Sequence, residues 1–105
     1  MVCISVFYPN TSGKKFDHGY YARIHMPLVM DRCKSFGLIR YEIDTGLAGG
    51  APGAPAPFTS IGRLYFNTVE EFQKALAAHG AEIMGDVRNY TDIELQIQIG
   101  QLTPS

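Results

Sequence analysis

With 105 residues the chain has room for one domain, and 46% hydrophobic against 18% charged residues describes a packed globular protein, not a disordered one. A net charge of −1, with no basic cluster larger than Lys14–Lys15, gives no electrostatic basis for nucleic-acid binding, and no apolar run reaches membrane-spanning length. The charged fraction is low for a free-standing small monomer, which points to surface buried against a second copy.

The N-terminal segment MVCISVFYP alternates as a strand and has no leader-like pattern, so a cytoplasmic protein is expected. In residues 2–8, Val2, Ile4, Val6 and Tyr8 share one face, with Cys3, Ser5 and Phe7 on the other. Cys3 and Cys33 have no ligand-like or redox spacing and read as reduced, packed thiols. Asp17 is an N-cap candidate for a helix starting near His18, in which Tyr21, Ile24, His25 and Leu28 fall at helical spacing. Pro27 cannot donate to the Arg23 carbonyl, and its ring crowds that turn, so the helix must kink or restart there. It continues through Met30, Cys33 and Phe36, and Gly37 follows as a plausible left-handed terminator.

A second strand is predicted in LIRYEIDTG. The uncharged stretch Gly46–Pro57, rich in Gly, Ala and Pro, reads as a long hairpin loop, mobile at its tip. Phe58–Phe66 forms a third strand, where Gly62 allows a close backbone approach. Thr68 and Glu71 make a capping box for a second helix, which Gly80 is expected to stop; a further short helix then covers AEIMGDVRNYT. The last strand alternates Ile93, Leu95, Ile97 and Ile99 with Glu94, Gln96 and Gln98. The order βαββαβ predicts an α+β, ferredoxin-like protomer: a four-stranded antiparallel sheet with both helices on one face. The other face carries Cys3, Ser5 and Phe7 with Gln96 and Gln98. It is too apolar for water and too polar for a dry core, so a second subunit is expected to close a barrel around a partly polar cavity.

The motif YYARIHMPLV, the passage SIGRLYFNTVEEFQKAL and the segment AHGAEIMGDVRNYT together resemble the EthD family, over essentially the whole chain (residues 1–105) as one domain. That resemblance implies a protomer of the dimeric α+β-barrel superfamily, a homodimer formed sheet to sheet and an internal pocket for a small hydrophobic organic ligand. The wider superfamily includes cyclases, isomerases, cofactor-independent monooxygenases and haem-handling proteins, so fold follows from it more firmly than reaction.

His25, the histidine of the H-x-P-L motif, is the candidate general acid/base, with Tyr21 one turn earlier to orient it or hold a substrate oxygen. The alternative is a buried histidine that only satisfies the helix break. Tyr20, His79, Asp86 and Tyr90 are the candidate substrate-binding residues; for His79 the first reading is a cap at the end of its helix, with the pocket as the alternative. His18, His25 and His79 lack metal-ligand spacing, and the Gly-rich loop has no phosphate-binding pattern. Neither a metal nor a cofactor is therefore expected. Two readings of function remain: cofactor-independent acid/base catalysis on a hydrophobic carbonyl or aromatic compound, or a non-catalytic dimer that binds such a metabolite.

Overall fold

The computed structural model describes residues 1–104. Strands β1 (Val2–Pro9), β2 (Arg40–Thr45), β3 (Phe58–Phe66) and β4 (Gln96–Gln101) form one sheet in the order β2-β3-β1-β4, antiparallel throughout. Helices α1 (His18–Tyr20), α2 (Met26–Cys33) and α3 (Val69–Asp86) supply the crossovers. The fold is the ferredoxin-like arrangement expected from the pattern. Opposite Val6, β3 places Gly62 and β4 places Ile97, so the helix-covered face gathers Val2, Ile4, Val6 and Tyr8 with Leu64 and Phe66. This face is the core: Ile4 and Phe66 are fully buried, and Met26, Val29, Phe72 and Ala75 pack on it from the helices.

The registers also settle the uncovered face. Cys3, Ser5 and Phe7 stand beside Tyr65, Arg63 and Ile61 of β3, and these beside Arg40, Glu42 and Asp44 of β2. Gln96 and Gln98 join from β4. Polar groups pair there among themselves: the Tyr65 hydroxyl donates to Glu42 at 2.5 Å, and the Arg40 guanidinium lies 4.0 Å from the Tyr65 ring centre. The Glu42 carboxylate and burial together raise the Tyr65 phenol to about 12.

Local signals explain most boundaries. Asp17 caps α1 by accepting from the Tyr20 amide at 3.0 Å. Thr68 and Glu71 close the capping box of α3 in both directions. After a 3-10 turn over Lys34–Phe36, Gly37 takes φ 111°, a left-handed conformation that favours glycine.

Two elements depart from the pattern. Gly80 does not stop the second helix; α3 runs unbroken to Asp86, so His79 lies inside it and caps nothing. A glycine inside a helix costs only about 1 kcal/mol relative to alanine, and Gly80 is buried in a segment where Ala81, Glu82 and Met84 favour helix on the far side. The last strand begins at Gln96, not at Ile93. Before it, Thr91 pairs with Phe16, donates its hydroxyl to the Lys15 carbonyl at 2.6 Å and accepts from the Ile93 amide at 3.0 Å. Ile93 is therefore buried, as its alternation suggested, but outside the ladder. The Gly/Pro-rich stretch does connect β2 to β3. It is held by the Gly49 amide donating to the Ala54 carbonyl (2.8 Å) and by two bonds from Asn10 to the Pro57 and Ala56 carbonyls.

Candidate active site

The segment around His25 is the least regular helix of the chain. Between α1 and α2, residues Tyr21–His25 form a π-helical turn, in which the Met26 amide reaches back five residues to the Tyr21 carbonyl. Pro27 supplies the reason. It has no amide for the Arg23 carbonyl and cannot tolerate that carbonyl at α-helical distance, so the preceding turn widens. The widened turn leaves Ile24 exposed and sends both Tyr21 and His25 inward.

His25 is 4% exposed, and its Nδ1 lies 2.9 Å from Oδ2 of Asp86 at the end of α3. A carboxylate can only accept, so Nδ1 carries a proton and the lone pair of the neutral ring sits on Nε2. Among the described residues nothing hydrogen-bonds Nε2. Burial pushes the His25 pKa below its ordinary 6.5, and Asp86 only partly opposes this. The imidazole is thus neutral at pH 7 and holds a free lone pair.

Asp86 is itself held in place. Its Oδ1 accepts from the Tyr20 hydroxyl at 2.7 Å and from the Asn89 amide at 2.9 Å. Burial alone would raise this carboxyl, but the donors Tyr20, His25 and Asn89 outweigh it and leave the group lowered and ionised.

An aromatic shell surrounds the pair. Tyr21 stacks on the imidazole at 5.7 Å, nearly parallel, and Tyr90 packs at 4.6 Å from it. Tyr90 and Tyr8 are joined hydroxyl to hydroxyl at 2.6 Å, and Phe16 closes the cluster against both. Burial raises all three phenols Tyr8, Tyr21 and Tyr90 well above their usual value, so they remain proton donors. Gly62 of β3 makes room for this shell, because a Cβ at that position would collide with the Tyr21 hydroxyl.

The structure thus brings His25, Tyr21, Tyr20, Asp86 and Tyr90 into one cluster. It leaves His79 out of it: that ring packs edge-on against Phe36 at 5.7 Å, two turns of α3 before Asp86. Sequence reasoning missed Tyr8 and Asn89. Tyr8 carried a signal, being the one hydroxyl on a strand face otherwise made of Val2, Ile4 and Val6. Asn89 carried none.

A narrow cavity of about 60 Å³ lies between the helices and the sheet beside this cluster. Met26, Val29, Leu64 and Phe72 form its floor and walls, Leu76, Met84 and Ile97 its mouth, and Tyr8 is the one residue shared with the aromatic shell. His25 itself does not line this cavity. Among the described residues no three His, Cys, Asp or Glu side chains converge as metal ligands, and no helix is long and apolar enough to cross a membrane.

A four-stranded antiparallel sheet backed on one face by its crossover helices, with a carboxylate-held imidazole at their junction, defines an α+β protein of the ferredoxin-like class. More narrowly, the chain belongs to the EthD family, since the model of the EthD domain matches residues 9–94. An EthD-like protein from Ralstonia eutropha JMP134 is 42% identical, with 95% of this chain and 89% of that one covered and a TM-score of 0.90. An ethyl tert-butyl ether degradation (EthD) family protein from Bacillus halodurans C-125 is 20% identical, covering 98% and 99%, with a TM-score of 0.66. A dimeric ferredoxin-like protein from an uncultured marine organism shares the fold at 13% identity, covering 100% and 97%, with a TM-score of 0.63. No curated protein matches the chain.

Proposed function

We propose that this protein is a small cofactor-independent acid/base catalyst acting on a hydrophobic carbonyl or aromatic compound. The observation that carries the reading is the 2.9 Å bond from His25 Nδ1 to Asp86, which leaves a neutral imidazole with its Nε2 lone pair unspent. A substrate presented to Nε2 with an acidic C–H beside a carbonyl loses that proton to the imidazole. The charge that develops on the substrate oxygen is met by a phenol of the surrounding shell. Asp86 acts through His25, as a positioning residue that fixes the tautomer and stabilises the imidazolium.

The test needs no knowledge of the natural substrate. In D2O, a simple methyl ketone such as 2-octanone should gain deuterium next to its carbonyl faster with the protein than without it. His25→Gln should remove about 100-fold or more of that rate. Equal exchange by both proteins would sink the assignment of His25.

The second reading is a non-catalytic metabolite-binding or accessory protein of a degradation pathway, in which the cavity alone matters. It is favoured by His25 standing behind the shell and off the wall of this cavity. Binding of ketones without any exchange would select it.

The assembly we infer is a homodimer through the uncovered sheet face, where Phe7 and Ile61 lie among Arg40, Glu42 and Arg63. Light scattering at micromolar concentration should give twice the 11.6 kDa chain mass, and Phe7→Glu should return it to the monomer. A wild-type monomer across that range contradicts this arrangement.

A further inference from the structure

The apolar cavity and the phenol shell meet at one residue, and that junction specifies a ligand more closely than the acid/base reading does. No charged side chain lines the cavity, whose wall is aliphatic and aromatic from Ile4 to Ile97. Burying an ion there leaves it without a counter-charge, which is strongly unfavourable. The mouth is apolar too: Leu76, Met84 and Ile97 remain partly exposed where α3 faces the edge strand β4. Towards β1 the cavity reaches Tyr8, whose hydroxyl is bonded to that of Tyr90. The Tyr21 hydroxyl joins this row beside Tyr8, and hydroxyls linked in a row use one O–H per link and always leave one over, so the row has one donor to spare.

We propose that the cavity binds an uncharged carbonyl compound with an unbranched hydrocarbon tail. The tail enters between α3 and β4, and the carbonyl oxygen accepts the spare O–H of this tyrosine row. The proposal deepens the acid/base reading by naming its substrate class, and it places the carbonyl next to Tyr90, the ring that packs on His25.

The four methionines provide the test, because Met26 and Met84 line the cavity and Met1 and Met30 do not. With methyl-labelled methionine, 2-alkanones from pentanone to octanone should shift the Met26 and Met84 signals and leave the other two in place. Each added methylene should tighten binding about 4-fold until the cavity is full. Octanoate should bind at least about 5-fold more weakly than 2-octanone, because its head group either enters without a counter-charge or stays outside and forfeits the phenol. Tyr8→Phe should weaken 2-octanone about 5-fold while keeping the dependence on chain length. Ala75→Leu, which fills the cavity from α3, should abolish binding in a chain that still folds.

Affinity independent of tail length, octanoate equal to the ketone, or shifts that spare Met26 would each overturn the proposal. So would a dimer whose second copy covers Ile97 and keeps ketones out. Methyl shifts without deuterium exchange would uphold this ligand class and reject the acid/base reading. Exchange without methyl shifts would do the reverse.

Discussion

Asp86→Ala is expected to lower stability by about 2–3 kcal/mol, because it strips the acceptor from three donors at once and leaves the buried Nδ1–H of His25 unpaired. Tyr20, His25 and Asn89 all bond this one carboxylate, from α1, the π-turn and the turn after α3. In a chain of this length the loss corresponds to a melting temperature lower by about 10–20 °C, measurable by calorimetry. A fall of only a degree or two would mean that Asp86 does not organise the cluster.

The same substitution has a signature in pH. Unfolded histidine takes its proton near 6.5, whereas buried His25 takes one only below that. The unfolded chain therefore binds more protons in the interval beneath 6.5, so this part of the stability is complete above about 6.5 and is lost as the pH falls through the interval. Asp86 is the partner that favours the protonated ring, so its removal moves the His25 pKa further down and extends the acid-sensitive interval downward. Nitrogen-detected NMR of the imidazole should show the Nδ1-protonated form at pH 7 in the wild-type protein. An Nε2-protonated ring would contradict the bond on which the site is built.

Gly62→Ala is the second change expected to have a large effect. The added methyl would overlap the Tyr21 hydroxyl, and Tyr21 has little freedom to retreat: it is 1% exposed and packed by Tyr8, Phe16, His25 and Tyr90. Overpacking of this kind costs about 1–3 kcal/mol, and the misplaced ring should also disturb the stacked imidazole. The cause can be isolated with Tyr21→Phe. Without the hydroxyl oxygen the Cζ of that ring would stand 3.4 Å from the new methyl, an ordinary contact. The double variant should therefore be more stable than the sum of its single changes allows, by about 1 kcal/mol or more in a denaturation cycle. Strict additivity would show that Gly62 serves some other purpose than admitting Tyr21.

The fold was legible in the sequence because its signals are local. Alternation placed Phe58–Phe66 to the residue, and Asp17, Thr68 with Glu71, and Gly37 marked ends by their own backbone chemistry. Gly80 misled because a helix's fate depends on packing that propensity does not contain. The site was half legible. Pro27 announced an irregular turn beside His25, but the pairing with Asp86 spans 61 residues and only the tertiary fold reveals it. Tyr8 looked like one more inward strand residue, since nothing in an alternating pattern says where a hydroxyl will find its partner.

The buried positions Tyr21, His25, Val29 and Cys33 recur every four residues. On an ideal α-helix, steps of four slip by about 40° each, so a stripe of that spacing would wind away from the sheet within three steps. The wide turn takes up part of the slip and keeps two helical segments in phase with one surface. It works as a phase corrector, one that would be undone by a change in residue count more readily than by a change in residue type. Removing a single residue between Tyr21 and His25 would turn everything upstream by about 100° relative to α2. That rotation would part Tyr21 and Tyr20 from the imidazole and carboxylate they now flank, although every side chain of the cluster would still be present.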